Sequence, residues 1–310
     1  MKEKLCKNSL SQEIRNLADS IGIDAIGFAD ASEFSGYALN SSPRRDPKLT
    51  LPEAKSIIVA GIYIGGLALP EWSSPLYGRT SRLYLSGFFA DVVTPLEPVV
   101  KLLKDMGYKA ITCESTSMDR SILPLKLAAI RAGLGWQGKH SLLISKKYGT
   151  FLALGGVITN ADLEHNTKPE PDRCRECDKC QQACPLEALD KSYVLNRDKC
   201  LSNLLQDDKL PGNAQSVMEN RIIDCEICQQ ACPWNKKHVD NPLTTYMTEL
   251  FQEKIESWKK FFYLPELVDL SEKKYMEKTT HLNAGIPFNL FRRNVLIAME
   301  NAEKAGQKAE

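Results

Sequence analysis

Eight of the chain's ten cysteines fall between Cys174 and Cys232; only Cys6 and Cys113 lie outside. A chain can gather so many thiols only if something takes them up. In a reducing compartment disulfides are disfavoured, and dense spacing then points to bound metal. The N-terminal MKEKLCKNSLSQEIRN has no hydrophobic signal core. The longest apolar run, residues 56–69, falls short of the ~20 residues that span a bilayer. The expected setting is therefore cytoplasmic, with no membrane contact.

The spacing narrows the metal. Cys174-x-x-Cys177-x-x-Cys180-x-x-x-Cys184-Pro185 is the two-cluster ferredoxin pattern. Three cysteines wrap one [4Fe–4S] cluster, and the fourth, before proline, ligates another. Structural zinc is the other reading of clustered cysteines, but zinc ribbons use pairs of C-x-x-C. Cys225-x-x-Cys228-x-x-x-Cys232-Pro233 repeats the motif with Ile222 in place of its first cysteine. Cys200, the one cysteine left in the segment, is inferred to supply the missing thiolate. Cys174, Cys177, Cys180 and Cys232 then hold one cluster, and Cys184, Cys200, Cys225 and Cys228 the other. Cys6 and Cys113 remain as free or buried thiols.

At 310 residues the chain has room for about two domains. A net charge of +1 argues against a wholesale polyanion binder, though not against a local basic patch. Leu10, Ile14, Leu17 and Ile21 repeat at helical spacing behind a Ser9/Gln12 capping box, and Gly22 closes that helix. Strands are expected at 24–29, 56–64, 108–112, 141–145 and 151–158. The run SIIVAGIYI reads as a strand covered on both faces. Helices are expected at 88–106 and from Pro124 to Gly133. The fold class is thus α+β or α/β over residues 1–165. A polar linker (NTKPEPDR) opens the cluster domain, 166–240. A helical segment, 241–310, follows, with amphipathic stretches at 250–262 and 289–302.

Two adjacent clusters pass single electrons. Alone they would make a small ferredoxin; fused to residues 1–165, they imply an acceptor held there. Gly133, Gly135 and Gly138 spell G-x-G-x-x-G, but after a helix rather than a strand, so the dinucleotide context fails. Two readings stay open: a helix cap with a tight turn, or glycines that let backbone approach a flat ligand.

AGLGWQGKHSLLIS, then YGTFLALGGVITN, then the two cysteine segments ending in Cys-Pro-Trp-Asn, and finally RNVLIAMEN at 293–301 are similar to the cobalamin-dependent epoxyqueuosine reductases. The resemblance implies a nitroreductase-like domain binding base-off cobalamin, with the clusters reducing its cobalt. It implies reduction of an epoxide in a modified tRNA base to queuosine, and a soluble donor such as ferredoxin or flavodoxin. By position from the GLGW segment, the family's proton-donating carboxylate falls on Asp119; a helix N-cap is the ordinary reading of that residue. Arg44, Arg45, Lys139, His140, Leu143 and Leu154 fall where the family approaches or lines the corrin; solvated cations and core leucines are their ordinary readings. Trp234 and Asn235 are candidates to stack or hydrogen-bond near a substrate, or to shield a cluster. His165, His238 and His281 have no metal spacing. The chain departs from the family at Arg120, Ser121 and Ile122 after the acid, and at Phe89, Ala90 and Asp91 in the preceding helix. It also stops before the family's helical repeats. Those departures keep two rivals in play: a related corrinoid reductase of small molecules, such as a reductive dehalogenase or a corrinoid activator, and a non-catalytic electron carrier.

Overall fold

The β-branched run at the centre of the first domain becomes strand β2 (Ser56–Tyr63), all eight residues of which are buried. A strand with no exposed face needs partners on both edges and cover on both sides. Strand β1 (Ala25–Asp30) pairs with one edge and β6 (Leu152–Thr159) with the other. Strand β3 (Ala110–Thr112) extends the sheet beyond β6, giving the order β1-β2-β6-β3. All three pairings are antiparallel. Of the two architectures the strand–helix alternation allowed, the chain therefore adopts α+β. A separate two-stranded hairpin joins β4 (Trp136–Gln137) to β5 (Leu143–Ile144). The computed structural model describes residues 2–35, 45–67, 71–87, 94–113, 121–165, 168, 170–279 and 286–307.

Alternate residues of β2 serve opposite cores, as a strand's two-residue period requires. Ile58 and Ala60 pack with Ile14 and Ala18 of α1 (Lys2–Ser20) and with Val99 and Leu103 of α2 (Glu97–Asp105). Ile57 and Val59 pack with Ala128 and Ala129 of α3 (Leu125–Arg131). Helix α1 runs through the Ser9/Gln12 box instead of starting there, because the preceding KEKL residues are good helix formers too. Ser11 faces inward and its hydroxyl accepts the Glu164 amide at 2.8 Å. Gly22, at φ 81°, ends the helix as expected. Helix α2 begins only at Glu97, after a 3-10 turn at Thr94–Leu96; the expected residues 88–93 lie outside the described residues.

After the sheet come several short helices, among them α4 (Lys179–Gln182) and α5 (Ile227–Gln230), and the longer α6 (Tyr246–Trp258) and α7 (Phe288–Gln307). Leu290, Phe291, Val295 and Ala298 of α7 share one apolar core with Leu201, Leu205 and Ile222 of the cysteine-rich segment and with Ile62, Tyr84 and Phe151 of the sheet region. Polar side chains of α7 reinforce the contact. Asn294 is fully buried and donates to the carbonyls of Leu205 and Ile222 at 2.8 and 3.0 Å. Arg293 donates to the carbonyls of Asp207 and Asp208, and Asn301 to those of Gln215 and Glu219. No helix of the described residues is long and apolar enough to cross a membrane.

Candidate functional site

The sequence Cys-Gln-Gln-Ala-Cys-Pro occurs twice, at 180–185 and 228–233, and both copies fold alike. Each forms a four-residue helix, α4 or α5, that stops at an alanine cap. The positive φ of Arg175, Glu187 and Asp224 turns the flanking loops tightly inward. Around these loops the thiols form two neighbourhoods. Cys232 is pushed up to about 11 by burial, and by Cys174, Cys180 and Cys177 beside it. Cys225 is pushed up to about 12 by burial, with Cys200 and Asp224 acting the same way. Burial holds Cys228 well above its ordinary value, and Cys225, Cys200, Cys180 and Cys184 add to it. Cys180 thus touches both sets electrostatically.

Buried thiols that raise one another's pKa resist ionising in an apolar site. A group that brings concentrated positive charge reverses that balance, as bound metal does for thiolates. The donor set therefore fits iron–sulfur clusters. Backbone amides already point at the sulfurs. The Ala188 amide donates to Cys184 Sγ at 3.3 Å, and amides of Ile227, Trp234 and Lys139 favour the charged forms of Cys225, Cys232 and Cys174. Such N–H···S contacts tune cluster potential. Ile222, where the repeat lacks a cysteine, is fully buried in the apolar core, and its amide donates to the Arg79 carbonyl at 2.9 Å.

The Cys225 loop is anchored to the sheet region by buried charge. Arg82 forms an ion pair with Glu226, its amide donates to the same carboxylate at 3.1 Å, and its Nε donates to the Gly65 carbonyl. Its guanidinium also lies 4.7 Å from the centre of the Phe151 ring. Asp224 accepts from Ser81, Ser202 and the Cys225 amide. None of these partners was visible from spacing.

The glycine-rich segment belongs to the other cysteine set. Gly133, at φ 79°, caps α3. A side chain at Gly135 would collide with the Ile144 carbonyl across the hairpin, and one at Gly138 with the His140 ring. Of the two readings left open, cap and tight turn describe it; the close backbone approach is to the chain itself. The hairpin lays Trp136 against Ile144, Cys232, Cys174 and Trp234. The two indoles meet edge to face at 4.8 Å and 75°. The buried Trp136 N–H has no oxygen or nitrogen partner among the described residues, and it favours the charged form of Cys174. Asn235, fully buried, locks the Cys-Pro-Trp-Asn turn to the segment that leads into β6. Its Oδ1 accepts the Thr150 amide at 2.8 Å, while its Nδ2 donates to Thr150 Oγ1 and to the Gln229 carbonyl, both at 2.7 Å.

The remaining candidates are spread around this frame. Asp119 and Arg44 lie outside the described residues, as do Phe89, Ala90, Asp91 and His281. Arg45 is exposed, and its carbonyl accepts the Phe34 amide at 2.7 Å. Lys139 donates from Nζ to the Arg175 carbonyl at 2.6 Å, beside Cys174. Leu143 is buried against α3, and Leu154 is half-buried on β6 opposite Gly61. His140 is the chemically distinctive one. Its Nδ1 accepts the Leu142 amide at 3.2 Å, so Nε2 carries the proton, yet Nε2 is buried without a partner among the described residues. Burial, then Lys126, lowers its pKa to about 4. His165 Nε2 bonds Ser56 Oγ at 2.9 Å, and the buried His238 bonds the Tyr63 hydroxyl at 3.0 Å. Cys113 is buried beside Ser121.

Residues 173–235 match the family model of the 4Fe-4S double cluster binding domain, so the metal is two [4Fe–4S] clusters rather than zinc. Epoxyqueuosine reductase from Lactococcus garvieae is 31% identical over 95% of this chain and 87% of its own length. That from Prochlorococcus marinus is 41% identical over 76% of this chain and 81% of its own. The chain belongs to the epoxyqueuosine reductase family. A solved epoxyqueuosine reductase with a tRNA-Tyr epoxyqueuosine-modified stem loop superposes with a TM-score of 0.78 at 25% identity, covering 96% of this chain and 83% of that one. Membership in the epoxyqueuosine reductase family makes this chain an iron–sulfur oxidoreductase and removes the non-catalytic carrier reading.

Proposed function

We propose that the protein reduces epoxyqueuosine in tRNA to queuosine, in the cytoplasm, using electrons from a soluble carrier such as ferredoxin or flavodoxin. The observation that carries the reading is the continuity from cysteines to sheet. The thiols sit in two adjoining sets, and Trp136, Asn235 and the Arg82–Glu226 pair fix both sets to the sheet region, which holds the candidates for corrin contact. Electrons delivered one at a time need such a rigid, short path. Cys174, Cys177, Cys180 and Cys232 hold one cluster, and Cys184, Cys200, Cys225 and Cys228 the other.

The family's cobalamin, bound base-off, would supply low-valent cobalt chemistry for reducing the epoxide. The chain offers a half-buried Leu154, a buried Leu143 and the unpartnered Nε2–H of His140. A corrin, apolar across its ring and rimmed by amide carbonyls, suits such a mixture; Arg45 and Lys139 are the candidates for its edge. Opening the epoxide leaves an alkoxide that needs an acid within hydrogen-bond reach. Asp119 gives a proton from its carboxyl to that oxygen. Overall the reaction consumes two electrons and two protons and releases the oxygen as water.

The test is an anaerobic preparation titrated with cobalamin. The expected result is ~8 iron per chain, the spectrum of a base-off corrin, and conversion of epoxyqueuosine tRNA. Asp119→Ala should keep both cofactors and lose turnover. Corrin binding without activity on the tRNA, but with activity on a halogenated small molecule, would instead support the dehalogenase-like rival.

A further inference from the structure

An open cavity of about 400 Å³ lies beside the Cys232 loop, lined by Pro233, Trp234, Lys236, Lys237 and Asp240. That volume falls in the ~300–1,000 Å³ range of small-ligand sites. Its aromatic wall is rigid. The Trp234 indole is braced edge-on by Trp136, and the next residue is the fully buried Asn235. Its two cations are available. Lys236 and Lys237 are exposed, and neither is paired with a carboxylate among the described residues. Lys237 donates to the Lys146 carbonyl at 3.2 Å, which sets it against the basic turn Lys146–Lys147. Asp240 is the single acid in the lining.

A fixed indole face next to two unneutralised ammonium groups has the chemistry of a nucleotide site. Bases of any identity stack on aromatic faces, and phosphates take up lysines with release of counterions. Single-stranded RNA loops, whose bases are free to splay, are read in this way. We propose that the cavity takes one nucleotide of the substrate tRNA's stem-loop, its base stacked on Trp234 and its phosphate between Lys236 and Lys237. The proposal rests on the tRNA reading given above and adds a place where the loop is gripped beside a cluster ligand. A concave site of this size is too small to be the whole docking face of an electron-carrier protein, which needs roughly 1,000 Å² or more.

The experiment uses the anaerobic, cluster-loaded chain and an unmodified tRNA-Tyr stem-loop, with affinity read by fluorescence anisotropy over a series of salt concentrations. Iron content of each variant checks that the clusters survive. Lys236→Glu with Lys237→Glu should weaken binding about tenfold or more and reduce the salt slope by about 1.5. Trp234→Ala should weaken binding about tenfold without changing the slope, while Trp234→Phe restores most of it. Wild-type binding with all variants equal to it overturns the cavity and leaves the tRNA reading standing. Variants that keep RNA affinity but accept electrons more slowly from a reduced flavodoxin also overturn it, and assign the cavity to the donor. If the wild type does not bind the stem-loop, the tRNA reading itself fails and the cavity falls with it.

Discussion

His140 combines a fixed tautomer, complete burial and a pKa lowered to about 4 from the ordinary 6.5. The folded state therefore releases its proton more readily than the unfolded state does. Between about pH 4 and 6.5 the unfolded chain carries the extra proton, so stability falls as pH falls through that window and levels off below it. The gap corresponds to about 3 kcal/mol at most. In cobalamin-free protein, denaturant midpoints measured from pH 7 to 4 should drop steadily, and His140→Gln should flatten the drop. An unchanged slope in the variant would mean the ring is not held neutral. Gly149 is the second residue whose neighbourhood decides its identity. It sits at φ 59°, and a side chain there would strike Asn235 Oδ1. Gly149→Ala combines backbone strain with loss of the Asn235 bonds, a cost of about 2–4 kcal/mol. Thermal melting should show it as a clear loss of Tm, larger than for Gly107→Ala, which shares the positive φ but meets no neighbour.

Among the elements, the cysteine loops were legible and their attachments were not. A thiolate triplet at steps of three and a repeated Cys-Gln-Gln-Ala-Cys-Pro act within a few residues, so spacing alone reports their geometry. The β2 strand was legible for a similar reason, since the unbroken apolar run at 57–63 leaves no face for water. Arg82 and Glu226 stand 144 residues apart, and nothing in either local sequence names the other. The same holds for Asn235 and Thr150, and for Trp136, whose glycine-flanked motif left both a tight turn and a flat ligand open and which packs on Cys174 and Cys232. The buried pair carries its own prediction. Removing one partner strands a charge away from water, so Glu226→Ala should cost about 3–5 kcal/mol. The exposed Lys101–Asp105 pair, one helical turn apart, should cost well under 1 kcal/mol on Asp105→Ala. Urea unfolding of both variants compares them directly. Equal effects would show that Glu226 is hydrated.

At the scale of the whole molecule, the C-terminal helix behaves as part of the cluster scaffold. The segment RNVLIAMEN resembled its family at the sequence level without showing why. In the structure its polar residues hold carbonyls in the two stretches that carry Cys200 and Cys225. Asn294 takes the carbonyls of Leu205 and Ile222, five residues after Cys200 and three before Cys225. Arg293 and Asn301 secure the intervening loop at Asp207, Asp208, Gln215 and Glu219. Those two cysteines belong to the set that lacks the compact triplet, so their spacing depends on tertiary contacts and not on a short local loop. Asn294→Ala removes the side-chain donor from the Ile222 carbonyl, leaves the Leu205 carbonyl with Arg293 alone and opens a small void, a loss of about 2–4 kcal/mol. Because the thiolates need their iron to remain buried, that loss falls on cluster retention as well as on folding. The variant, isolated without oxygen and then challenged with a chelator, should shed iron toward about half the wild-type content, while the cluster proposed for Cys174, Cys177, Cys180 and Cys232 persists in the electron paramagnetic resonance spectrum. Simultaneous loss of both clusters would show that the two sets are one cooperative unit, and full retention would show that α7 is an appendage to the scaffold.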